Sequence, residues 1–206
     1  MIRIAPRSAA ALVALLVLFL ASAWTGGGTA GIDSAAATWA VRLLASSPFL
    51  LDASLVLTGV GSAPVTLGLG AAGGILLALR KDYGRSAILV VAVIAERLAV
   101  DGLKLLFGRA RPLFDHDLVQ VYNLSFPSGH AANSLTAYVL TAWFLAPPRF
   151  RFAAIIGALA IAFLVGLTRV LIGVHWLTDV VGGWAAGTIA VMLAIVAERR
   201  LGARQQ

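Results

Sequence analysis

Cysteine is absent from this 206-residue chain, and that excludes disulfides, thiolate zinc sites and cysteine nucleophiles. Charge is nearly as scarce. Charged residues make up 12% of the sequence and hydrophobic residues 60%, with a mean hydropathy of +0.94. Soluble globular domains run nearer a quarter charged, so this balance excludes a disordered chain and argues against an ordinary soluble enzyme. Sixteen Lys and Arg against nine Asp and Glu leave a formal net charge of +7. The basic residues sit between apolar runs, which reads as membrane topology and not as nucleic-acid binding.

What the chain has instead is long apolar stretches. About 20 such residues cross a bilayer core of ~30 Å at ~1.5 Å per residue. Six candidate spans follow: 9–24, 49–79, 86–107, 130–146, 152–174 and 176–197. The second contains Pro64 and would reach roughly 46 Å as one straight helix, so a tilt, a kink at Pro64 or a first turn outside the core is expected, and the charge pattern argues against a split into two crossings.

Basic residues mark alternate junctions: Arg3 and Arg7; Arg80, Lys81 and Arg85; Arg149 and Arg151; Arg199, Arg200 and Arg204. The positive-inside rule makes all four cytoplasmic. The expected fold is therefore all-α: a polytopic membrane protein, one domain over 1–206, built as a six-helix transmembrane bundle with cytoplasmic N and C termini. Thr25–Pro48, Gly108–Gly129 and the corner near His175 then face outward. Ala35–Ser47 reads as a short interfacial helix or as an ordered loop. The N-terminus also has two readings. Arg3, Arg7, an apolar run and Ala21-Ser22-Ala23 resemble a cleavable signal peptide, while an uncleaved first helix is the expectation.

Charges inside a bundle are costly, so their positions are informative. Apart from the basic junctions they gather in Glu96–Asp117, around His130, and in Arg169–Asp179. The topology carries all three clusters toward one outward-facing pocket. Lys104 and Arg111 suit an anion, Lys as a point charge and Arg as a fork, although snorkelling of basic residues would explain each alone. Pro127-Ser128-Gly129 opens the fourth span, where backbone N–H groups and the helix dipole favour an anion. His130 beside it can exchange a proton near neutral pH. His175 and Asp179 stand four residues apart, so the carboxylate can hold one ring nitrogen and leave the other nucleophilic. Together with Arg169 this inventory suits phosphoryl transfer, which holds spread negative charge and aims a nucleophile.

Three segments then match one pattern. Lys104 to Arg111-Pro112 fits K-x6-R-P, Pro127-Ser128-Gly129-His130 fits P-S-G-H, and Thr168-Arg169 to His175 and Asp179 fits S-R-x5-H-x3-D, with Thr for Ser. The chain resembles the type-2 phosphatidic acid phosphatase superfamily of membrane lipid phosphate phosphatases. The resemblance implies that His175 is the nucleophile, forming a phosphohistidine, and that Asp179 orients it. His130 would protonate the leaving oxygen and then activate water. Lys104, Arg111 and Arg169 would clamp the phosphate with Ser128 and the Gly129 N–H. It implies no metal and no other cofactor.

The expected activity is hydrolysis, in the cell membrane and at its extracytoplasmic face, of a lipid phosphate or pyrophosphate. Undecaprenyl pyrophosphate, phosphatidic acid, phosphatidylglycerol phosphate and diacylglycerol pyrophosphate are the candidates, with undecaprenyl pyrophosphate or phosphatidate-type lipids favoured. Phosphotransfer to another acceptor, or lipid transport or binding without chemistry, are the competing readings. The superfamily's soluble acid phosphatases and vanadium haloperoxidases fit poorly with so many apolar spans. Asp115-His116-Asp117 reads as a solvated loop before it reads as a cation site. Arg97 and Asp101, with Glu96 adjacent, read as a structural ion pair before they read as a support behind Lys104. Gly183 and Gly187 form a small-xxx-small pair for packing against a neighbouring helix, with a homodimer as the other use.

Overall fold

A backbone in hydrocarbon must satisfy its own hydrogen bonds, and helices do this within one segment. The computed structural model describes residues 6–27, 31–112 and 124–203 and contains no strand among them. Its helices are α1 (Pro6–Thr25), α2 (Ile32–Ala45), α3 (Pro48–Val60), α4 (Ala63–Leu79), α5 (Tyr83–Phe107), α6 (Gly129–Leu145), α7 (Arg151–Leu171) and α8 (Leu177–Ala203), with a 3-10 turn at Pro148–Phe150. Two stretches, Pro148–Leu171 and Leu177–Gly202, are long and apolar enough to cross a bilayer; Ala9–Thr25 and Ala63–Leu79 are shorter apolar helices. Among the described residues the chain is all-helical, with the long apolar helices of a membrane protein.

Helix α6 lies at the centre, against α4, α5, α7 and α8. The main core joins Leu89 and Val93 of α5, Leu140 and Phe144 of α6, Ala162 of α7 and Val191 of α8. Gly183 and Gly187 make the α6–α8 contact possible. A Cβ at Gly183 would fall 2.5 Å from the Ser128 carbonyl oxygen, and one at Gly187 would fall 2.7 Å from that of Ala132. The glycine pair is thus used within the chain to bring the start of α6 against α8.

The second run breaks ahead of Pro64 and not at it. Gly61 and Ser62 interrupt the run, so that it forms two helices, α3 and α4. Pro64 lies in the first turn of α4, where its missing N–H costs no helical bond. At the break the Val60 carbonyl accepts from Tyr138 Oη at 3.1 Å. The fifth run also stops early. It ends at Leu171, not Val174, and Gly173 turns with φ +69°. Segment 35–47 is largely helical, as α2, and its Ala40 packs on Ala131, Val170 and Val180. Arg97 and Asp101 pair at 3.1 Å on α5.

The two ends of the bundle differ in chemistry. One end carries Arg80, Lys81, Arg85 and Arg199; there Glu198 accepts from Arg85 at 2.7 Å and from Trp143 at 2.8 Å. The other end gathers the last turns of α1, α5 and α7, the starts of α2, α6 and α8, and the motif residues.

Candidate active site

Lys104 sits in the last turn of α5, and Gly108, with φ +59°, ends that helix before Arg111 is reached. Lys104 and Arg111 therefore do not share a helical face. The turn nevertheless brings both to one backbone carbonyl of the site, that of Leu124. Lys104 Nζ donates to Leu124 O at 2.7 Å and Ser125 O at 3.3 Å, and Arg111 Nη2 donates to Leu124 O at 3.3 Å. Arg111 Nη1 donates to Val174 O and lies 3.2 Å from His175 Nε2. Burial lowers the Arg111 pKa to about 10, which still leaves it charged at neutral pH.

Ser128 occupies the N-cap of α6, yet its hydroxyl makes no capping bond. Its Oγ is buried and has no partner among the described residues, an unusual state for a buried hydroxyl. Its backbone N–H donates to Asp179 O at 2.9 Å, which ties the P-S-G-H turn to α8. Gly129 and His130 follow as the first residues of α6. Arg169 and Arg111 both act electrostatically on His130 and on His175, and His130 acts on His175. Arg169 reaches the site from the last turn of α7, where its Nη1 donates to Thr58 Oγ1 at 2.7 Å.

His175 lies in the connection before α8, and Asp179 in the first turn of α8. Their four-residue spacing works through a helix-start turn, not through a helical face. Asp179 Oδ2 accepts from the Trp176 N–H at 2.8 Å and faces His175 Nδ1 at 3.4 Å. Burial, with Arg111, Arg169 and Lys104 adding to it, lowers the His175 pKa well below the ordinary histidine value. The imidazole is therefore neutral at pH 7. One ring nitrogen faces the carboxylate and the other faces the Arg111 guanidinium.

All eight motif residues, Lys104, Arg111, Ser128, Gly129, His130, Arg169, His175 and Asp179, thus belong to this end of the bundle. Four other residues complete it without a motif to announce them. Ser125 Oγ donates to Asp179 Oδ2 and lies 3.3 Å from His175 Nδ1. Arg109 pairs with Asp179 Oδ1 at 2.7 Å. Thr58 holds Arg169, and Asp33 holds Thr178. Arg109 stands inside the K-x6-R-P segment, and that position is the one signal the sequence carried for it. Asp115-His116-Asp117 lies outside the described residues. Among the described residues, no group of three His, Asp or Glu is placed to hold a metal.

Comparison with known proteins bears on this arrangement. Residues 85–202 match the PAP2 superfamily. Phosphatidylglycerophosphatase B of Bacillus subtilis (strain 168) is 31% identical over 184 residues, which cover 87% of this chain and 89% of that protein. A lipid A 1-phosphatase of Rhizobium etli is 35% identical over 127 residues, covering 55% of this chain and 50% of the relative. Among solved structures, a transmembrane PAP2-type phosphatidylglycerolphosphate phosphatase from Bacillus subtilis superposes with a TM-score of 0.79 at 29% identity, covering 92% of this chain and 96% of its own. Aquifex aeolicus LpxE superposes with a TM-score of 0.57 at 25% identity, covering 74% and 87% respectively.

Proposed function

The chain belongs to the PAP2 superfamily, and on that premise we propose that it hydrolyses a lipid phosphate or pyrophosphate through a phosphohistidine at His175, without a metal. One observation carries this reading. His175 is a neutral imidazole held between Asp179 Oδ2 at 3.4 Å and Arg111 Nη1 at 3.2 Å, so its Nε2 points to the side where phosphate-binding cations stand.

In the first step Nε2 attacks phosphorus and the bond from phosphorus to the lipid oxygen breaks. His130 gives that oxygen its proton. In the second step His130 takes a proton from water, the hydroxide attacks phosphorus, and the P–N bond breaks to release phosphate and His175. Asp179 holds the ring and stabilises the cation that forms on it. Lys104, Arg111 and Arg169 offset the phosphoryl charge. The partnerless Ser128 Oγ and the Gly129 N–H at the start of α6 supply neutral donors.

In the bilayer we place α1, the broken pair α3–α4, α5, α6, α7 and α8 as six crossings of one domain over 1–206, in the cell membrane. The segregation of Arg80, Lys81, Arg85 and Arg199 at the end opposite the motif residues supports cytoplasmic termini and an extracytoplasmic site. Among substrates, the coverage of the Bacillus subtilis relative puts phosphatidylglycerol phosphate first, ahead of phosphatidic acid, undecaprenyl pyrophosphate and diacylglycerol pyrophosphate.

The test is phosphate release from these four lipids by detergent-purified protein in EDTA, with His175→Ala alongside. Release that disappears in the mutant supports the reading, and the ranking of rates names the lipid. Lipid binding without release, retained in the mutant, would replace it with a binding or transport protein. A new phosphorylated lipid in place of free phosphate would replace hydrolysis with phosphotransfer.

A further inference from the structure

We propose that Arg109 is a positioning residue for this reaction, acting through Asp179, and that α1 and α2 take part in the active site by holding it. The proposal rests on the phosphatase reading above. Arg109 lies beyond the end of α5, two residues before Arg111, but its partners are different. Its Nη1 donates to Asp179 Oδ1 at 2.7 Å and to Thr178 Oγ1 at 3.0 Å. Its Nη2 donates to the carbonyls of Ser22, at 2.8 Å, and Ala23, in the last turn of α1. The guanidinium also sits 4.4 Å from the centre of the Phe126 ring, the residue that opens the P-S-G-H turn. Both terminal nitrogens are engaged by groups of the chain itself, so Arg109 serves Asp179 and not the phosphate.

Asp179 is fully buried, and its two oxygens are held separately. Arg109 takes Oδ1, while Ser125, the Trp176 N–H and His175 face Oδ2. A buried carboxylate without a cation is costly, and one free to turn orients its histidine poorly. Asp33 of α2 extends the arrangement. Its Oδ1 accepts from the Thr178 N–H at 2.9 Å, and its Oδ2 accepts from Thr178 Oγ1 and the Gly27 N–H, each at 2.7 Å. Thr178 Oγ1 thus donates to Asp33 and accepts from Arg109, which leaves one orientation for the hydroxyl. Asp33 lies 145 positions from Thr178 and caps the start of α8 from another helix. The chain of bonds runs from α2 through Thr178 and Arg109 to the residue that orients the nucleophile. None of α1 or α2 falls within residues 85–202, the part that matches the superfamily.

The experiment uses full-length protein in detergent with phosphatidylglycerol phosphate or phosphatidic acid. It reads kcat and KM for the parent, Arg109→Met, Arg109→Lys and His175→Ala, with thermal unfolding midpoints alongside. Arg109→Met should lower kcat about 30- to 100-fold while KM stays within about threefold, and Arg109→Lys should recover about tenfold of that loss. A kcat within about threefold of the parent for Arg109→Met overturns the proposal. So does a raised KM at unchanged kcat, which would make Arg109 a substrate-binding residue. A Lys variant as poor as the Met variant, with an equally lowered midpoint, would make its role purely structural. Should Arg109→Met fail to fold, Arg109→Lys decides alone: reduced kcat at unchanged KM supports the proposal, and unchanged kcat or raised KM overturns it. Absence of phosphate release by the parent would instead overturn the phosphatase reading itself.

Discussion

Ser125 Oγ donates to the same Asp179 oxygen, Oδ2, that faces His175 Nδ1 at 3.4 Å. The hydroxyl is itself 3.3 Å from that ring nitrogen, so the three groups form a closed triangle in a buried space. Two donors on one side of a carboxylate define its plane more firmly than one, and the plane of the carboxylate sets the plane of the imidazole.

Ser125→Ala removes one side of that triangle. Turnover should fall about 3- to 20-fold, with stability lower by about 1–3 kcal/mol as an Asp179 lone pair loses its donor. Steady-state kinetics and a thermal scan check both effects, and unchanged kcat would reduce Ser125 to packing.

Asp179→Asn keeps the shape and deletes the charge. Lipid binding should persist while kcat falls by about two to four orders of magnitude, because the imidazolium formed on attack loses its counter-ion. Loss of binding with intact single-turnover chemistry would place Asp179 in substrate recognition instead.

In the proposed chemistry, histidine and cations do the work. Phosphate release should survive EDTA, and vanadate should inhibit, since it mimics the trigonal-bipyramidal phosphoryl group beside His175. Loss with EDTA and rescue by a divalent ion would contradict the scheme, as would full activity in high-micromolar vanadate.

Gly183→Ala puts a methyl group where the Ser128 carbonyl oxygen lies 2.5 Å away. Backbone must move to admit it, and the backbone concerned leads into His130. Activity should drop more than about tenfold, with a destabilisation of about 1–3 kcal/mol from overpacking. Gly157→Ala, where a Cβ would meet nothing within 4 Å, is the control and should cost little. Equal, small effects for both would show that α6 and α8 are loosely packed.

His175 also predicts a pH dependence of stability. Its pKa is lowered in the fold, chiefly by burial, while in the unfolded chain the imidazole takes a proton as pH falls through about 6.5. Below that value the unfolded state binds the extra proton, so stability falls on acidification and is restored as pH rises. The thermal midpoint should drop between pH 7.5 and pH 5.5, and drop less in His175→Gln. Equal drops would assign the dependence to other groups.

The residues that gather at the candidate site were legible in the chain because each motif is local. Lys104 and Arg111, the P-S-G-H turn, Arg169, and His175 with Asp179 each lie within a dozen residues, and apolar runs show which of them share an end of the bundle. Helical periodicity was a poorer guide to geometry. Lys104 and Arg111 would share one face only in a continuous helix, and Gly108, itself a helix-ending signal, closes α5 between them; the second apolar run continues through Gly61 and Ser62, where the helix breaks. The break at Gly61 depends on what packs beside it: Val165 occupies the place of a Gly61 Cβ, and Tyr138 satisfies the carbonyl freed at Val60.

By itself the sequence determined the solvent the chain folds in, through its hydropathy and scarcity of charge, and the candidate site residues, through residue types at short fixed spacings. The tertiary structure alone decided which groups hold those residues in place. Arg109 among its neighbouring cations, Ser125 in an unremarked loop, Thr58 on α3 and Asp33 on α2 became parts of the site when helices distant in sequence met. The physical reason is that a buried charge requires a partner in space, and the helix that supplies it is chosen by packing.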